Sequence, residues 1–142
     1  MNNLNDFLKN LGEIVFYYQL LESDLRKIYA CMKKGDLESN LSMTYQEFKG
    51  LGEVIRGLKV LDNQDNNPYF SDQDYDLLLN LSKKRNYYCH KVSLKFIYIK
   101  DFEKSMKFIK CYQELEEDLK TLKMVENQAE NLRIDVYRRF RG

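Results

Sequence analysis

Apolar residues recur near the start of the chain at Leu4, Phe7, Leu11, Ile14, Tyr18, Leu21, Leu25, Ile28 and Met32. The steps are three and four, which set all these side chains on one face of an α-helix. Gly35, just after Lys33 and Lys34, is a stop signal. The pattern predicts a first helix over 3–34. A second is expected to start near Thr44, because Thr44 and Glu47 have capping-box spacing. Phe48, Leu51, Val54, Ile55 and Leu58 form its apolar stripe. Gly50, Gly52 and Gly57 weaken it, since a glycine costs up to about 1 kcal/mol in a helix interior. The stretch "LDNQDNNPYFSD" is rich in Asn and Asp and holds the single proline, Pro68, so it reads as a loop.

Ser71 with Asp74 caps a third predicted helix, which runs through "KKRNYYCHKV" to about Lys100, with room for a break. Asp101 caps a fourth, whose stripe includes Phe102, Met106, Ile109, Leu115, Leu119, Leu122 and Val125. No period-two alternation, internal repeat or domain boundary interrupts the series. The expectation is a single all-α domain over 1–142, an up-and-down bundle of about four helices with a basic helix end over 133–142.

Composition narrows the classes. The chain has 142 residues, 44% apolar and 32% charged, enough to bury a core beneath a polar surface. A formal net charge of +1 leaves no bulk attraction for nucleic acid, so any such binding needs a local patch. Cys31, Cys89 and Cys111 are odd in number and far apart, the pattern of reduced thiols in a cytoplasmic protein. One histidine and no cysteine pair leave no zinc ligand set. "MNNLNDFLKN" lacks the marks of a signal peptide, and no apolar run has the length of a membrane span. Gly50 and Gly52 follow no strand, which removes dinucleotide binding.

The candidate chemistry lies in "KKRNYYCHKV", which holds the only histidine, His90. On a helix at 100° per residue, Leu78, Leu81, Cys89, Val92, Phe96 and Ile99 share a face with Arg85 at its centre. Asn86 and His90 are four apart and neighbour each other on the flank of that face. Arg85 and His90 are about 140° apart on an ideal helix. To meet on one ligand they need a long arginine arm, a kink, or a second copy of the chain. A structural reading stands beside this one: a bridging arginine and a boundary histidine.

"RNYYCH" resembles the R-N-x-x-x-H signature of the HEPN superfamily, all-α domains of prokaryotic toxin, antiphage and CRISPR-associated ribonucleases. "LGEIVFYYQLLESDLRKI" and "LLLNLSKKRNYYCH" are similar to the first and third helices of its small stand-alone members. The resemblance implies a HEPN-like fold, a homodimer whose two motifs meet in one cleft, and metal-independent cleavage of RNA by Arg85, Asn86 and His90 with no cofactor. It also implies an antitoxin or other defence-system protein as partner. In the toxins paired with nucleotidyltransferase antitoxins a tyrosine stands two places after the histidine; here that place is Val92.

The residue types suit the chemistry. Metal-free RNA cleavage deprotonates the 2′-hydroxyl, stabilises a phosphorane and protonates the leaving oxygen, ending in a 2′,3′-cyclic phosphate. Histidine serves as base or acid near neutral pH, and arginine offers a fork of donors to phosphate. Asn86 holds the phosphate or orients the imidazole. Glu22, at the edge of the first stripe, is placed to orient Arg85, or else is a solvated boundary carboxylate. Tyr87 is a candidate for stacking on bases, and Tyr88 for packing. Arg138, Arg139 and Arg141 form a weak candidate RNA contact; the plainer reading is a solvated helix end. Glu116, Glu117 and Asp118 read as a solvated acidic face. Two further readings remain beside the ribonuclease: a non-catalytic HEPN-like module that binds RNA or a protein partner, and a plain helical adaptor.

Overall fold

The computed structural model describes residues 2–142, and the described residues form an all-α fold. Five α-helices follow in order: α1 Leu4–Met32, α2 Leu37–Glu47, α3 Leu51–Asp62, α4 Asp72–His90 and α5 Met106–Arg141. Two short 3₁₀ turns, Val92–Lys95 and Phe102–Lys104, link α4 to α5.

The first stripe folds as its spacing demands. Phe7, Ile14, Tyr18, Leu21, Leu25 and Ile28 are buried, and Asn3 caps α1 by accepting from the Asp6 amide. The Ser71–Asp74 capping box opens α4 with both reciprocal bonds present.

Other expectations are corrected. Thr44 does not begin a helix. It ends one: α2 starts at the Asp36 cap, and Thr44 is buried in its last turn. The stripe from Leu51 to Leu58 belongs to a separate helix, α3, so there are five helices instead of about four. Gly57 lies inside α3 for a packing reason. A Cβ there would come within 2.3 Å of Phe48 Cζ, so the glycine makes room for that ring. α4 stops at His90, ten residues short of Lys100. Asp101 does not cap α5; it takes a left-handed conformation at φ 51°, and Ser105 caps instead by accepting from the Phe108 amide.

Polar contacts fix how the long helices run. The Leu4 amide donates to Glu103 (2.6 Å), Lys123 pairs with Glu13 (3.0 Å), Arg133 with Asp24 (2.9 Å), and Arg141 donates to the Cys31 carbonyl (3.2 Å). Partners advance together along both helices, so α1 and α5 are parallel. α4 runs antiparallel to α5, with Tyr87 near Cys111, Lys84 on Asp118 and the α4 start near Val125 and Ala129. Phe7, Phe96 and Phe108 form an aromatic cluster that pins the α4–α5 connector to the core. No described helix is long and apolar enough to cross a membrane.

Candidate active site: one pocket between α3 and α4

Arg85, Asn86 and His90 line a single pocket of about 260 Å³ together with Gly50, Leu51, Gly52, Ser82 and Cys89. The three motif residues therefore meet on one cavity within one chain. The pocket spans the sector of α4 between Arg85 and His90, since Cys89, Ser82 and Asn86, which fall between them around the helix, line it too. Leu78, Leu81 and Tyr88 take the buried face, so Arg85 moves from the centre of that face to its edge, with its side chain 42% exposed. Cys89 is correspondingly exposed instead of buried. Asn86 and His90 are exposed, and His90 closes the last turn of α4.

The opposite wall of the pocket is the amino end of α3. Gly50 is its cap residue and makes no side-chain cap bond. The first α3 residues and the Arg85 guanidinium both border the pocket, an arrangement suited to an anion, while Glu53 in the first turn of α3 places its carboxylate on the Lys49 amide. The two glycines bring this wall close: a Cβ at Gly50 would stand 4.0 Å from Arg85 Nη1, and one at Gly52 3.5 Å from both Ser82 Oγ and Arg56 Nη1. Arg56 thus brings a second guanidinium beside the Gly52 wall. Sequence inspection passed over it, since nothing local ties it to the motif.

Glu22 lies 3.9 Å from Arg85 Nη1 through one carboxylate oxygen, and its other oxygen accepts from Arg26 Nε at 3.2 Å. Arg26 is 2% exposed. Its remaining donors hold the Thr44 carbonyl (2.5 Å) and the Phe48 carbonyl (3.0 Å), at the carboxyl end of α2. So Glu22 is an anchored carboxylate, fixed from below by a buried arginine and offered to Arg85 above.

The rest of the candidate set lies elsewhere. Tyr87 is absent from this pocket; its hydroxyl is 3.9 Å from Cys111 Sγ and its ring lies under Lys95 Nζ at 4.7 Å. Tyr88 is buried and its hydroxyl donates to Asp118; burial first, and then that bond, hold the phenol well above its ordinary range. Asp118 is consequently not solvated: it is 9% exposed and also takes Lys84 at 2.9 Å, while Glu116 and Glu117 are exposed. Arg139 donates to Asp65 (2.8 Å) and the Tyr69 hydroxyl (3.0 Å). Arg141 donates to the carbonyls of Ala30, Cys31, Lys33 and Gly35, closing the carboxyl end of α1. Both guanidiniums have protein partners, whereas Arg138 is exposed.

Compared with protein-family models, curated proteins and solved structures, the chain matches none.

Proposed function

We propose that the protein is a HEPN-like endoribonuclease that cleaves single-stranded RNA without a metal. The observation that carries this reading is the meeting of Arg85, Asn86 and His90 on one small pocket at the uncapped amino end of α3. A phosphodiester seated there lies against the Arg85 fork and the α3 amides. Those donors offset the charge that grows on the non-bridging oxygens as the 2′-oxygen attacks phosphorus. The P–O5′ bond breaks as the new P–O2′ bond forms, leaving a 2′,3′-cyclic phosphate and a free 5′-hydroxyl. His90 takes the 2′-hydroxyl proton or supplies the proton to the departing 5′-oxygen. Asn86 holds the phosphate, and Glu22 orients Arg85.

The reaction needs both a base and an acid, and each chain has one histidine. A homodimer supplies the second imidazole if the α4 ends face each other across a two-fold axis, which exposed His90 and Cys89 leave sterically open. In this reading an antitoxin or defence-system partner controls the exposed pocket. Incubation with single-stranded RNA in excess EDTA tests the function: the RNA is cut to 2′,3′-cyclic ends and the matching DNA, lacking the 2′-hydroxyl, survives. Intact RNA across neutral pH would refute it.

A further inference from the structure

The chain is nearly neutral, but its charge is not evenly spread. Residues 83–110 hold eight lysines and Arg85 against Asp101 and Glu103, a formal +7, so the other 114 residues together carry −6. Lys84 is paired with Asp118. The other seven lysines, at 83, 91, 95, 100, 104, 107 and 110, are exposed and make no ion pair among the described residues. Crowding like charges with so few counter-charges destabilises a fold, and an external polyanion would offset it.

The fold gathers part of this charge into a cavity. Lys95 from the first 3₁₀ turn meets Lys107 and Lys110 from the first turns of α5 around a pocket of about 560 Å³, with Leu94, Cys111 and one acid, Glu114, completing its wall. Lys95 is held there by its position over the Tyr87 ring. The segment beneath is anchored in the core: Val92 and Phe96 are buried while Leu94, Ile97 and Tyr98 between and after them face outward, Tyr98 at 86% exposure. Tyr87, which meets Lys95 and Cys111 of this cavity, and Asn86, in the motif pocket, are adjacent on α4. The two cavities therefore flank the last turns of one helix.

We infer that the Lys95–Lys107–Lys110 pocket is a second binding site, which takes the phosphate backbone of single-stranded RNA outside the cleavage pocket. Exposed Leu94 and Tyr98 offer apolar and aromatic surface to the bases. The inference rests on RNA being the substrate of the Arg85–His90 pocket. Single-stranded RNA fits better than a bilayer, because the lysines converge on a concavity and the exposed apolar residues do not form one continuous helical face.

The test is fluorescence anisotropy with a labelled 2′-O-methyl oligouridine of about 20 nucleotides, long enough to span both pockets and unable to be cleaved. Lys95→Gln/Lys107→Gln/Lys110→Gln is expected to bind about tenfold or more weakly at ~50 mM salt, and to flatten the plot of log affinity against log salt by about 2. Lys34→Gln, at an exposed lysine that lines neither pocket, is expected to bind like the parent. If the parent cuts no RNA yet the triple variant loses binding in this way, the cleavage reading falls and the binding site stands. The site is overturned if the parent fails to bind the oligonucleotide, or if the triple variant binds as well as the parent. It is also overturned if poly-L-glutamate displaces the oligonucleotide as well as unlabelled RNA of equal charge, which marks an acidic protein as the occupant. Stronger lysine-dependent binding to vesicles of anionic lipid than to RNA marks a membrane surface and overturns it too.

Discussion

The Glu22 carboxylate and the Arg85 guanidinium face each other across the α1–α4 seam at 3.9 Å. The contact is long, and Arg85 is half open to water, so the pair contributes little to stability. Beneath it, Arg26 is buried and holds Glu22 together with two carbonyls at the end of α2. One carboxylate thus joins the buried Arg26 to Arg85 of the motif pocket.

This division predicts opposite outcomes for two arginines that share a partner. Arg85→Ala changes unfolding free energy by no more than about 1 kcal/mol, as expected for a solvent-screened pair. Arg26→Ala costs about 3–5 kcal/mol, because it strands a partly buried carboxylate and two buried carbonyls. Urea melts of the two variants decide it. A larger loss for Arg85→Ala would make that residue a structural bridge.

Gly57→Ala runs against helix propensity. Alanine is better than glycine in a helix by about 1 kcal/mol. Here the added methyl lands 2.3 Å from Phe48 Cζ and 2.6 Å from Phe48 Cε1, and that ring is buried against Tyr29. The net result is a loss of about 1–3 kcal/mol from overpacking. The double variant with Phe48→Leu recovers part of it. A Gly57→Ala protein that melts higher than the parent would show that the ring yields freely.

The seam of α1 and α5 carries a pH dependence of its own. Glu126 is 5% exposed beside Asp24, and burial first, then the proton shared with Asp24, pushes its carboxyl up to about 8. The charges of Asp24 and Glu130 act in the same direction, while Arg133 opposes them. Between about 4.5, its unperturbed value, and about 8 the folded protein binds a proton that the unfolded chain does not. Its contribution to stability is therefore full at the acid end and is lost as pH rises through about 8. Melting temperatures from about pH 6 to 9 should fall in the parent from this source and fall less in Glu126→Gln, which keeps a donor for Asp24 without the charge. Parallel curves for the two proteins would count against it.

What the chain revealed before folding, and what it hid, follows from where polar residues point. α1 and the start of α4 were legible because apolar spacing and the Ser71–Asp74 box act locally. α2 was hidden because its inward face is partly polar. Asn40 is buried and its amide donates to the carbonyls of Ala30, Lys33 and Lys34, while Thr44 turns inward four residues later. No hydrophobic period marks such a helix. Asp118 was legible in principle: it lies three residues after Leu115 and four before Leu122, on the same buried face, but the adjacent Glu116 and Glu117 disguised it. The motif was visible as six residues. Its pocket was not, because Gly50, Leu51 and Gly52 join it only through the packing of α3 on α4.

The most direct test of the central claim is single-stranded RNA cleavage by parent and His90→Ala in EDTA, with end-group analysis of the products. Parental cleavage to 2′,3′-cyclic ends near neutral pH is expected, with a loss of about 10²-fold or more in His90→Ala, the usual worth of a positioned acid–base group. His90→Ala cutting RNA as fast as the parent would contradict the assignment and leave a helical module that binds without catalysing.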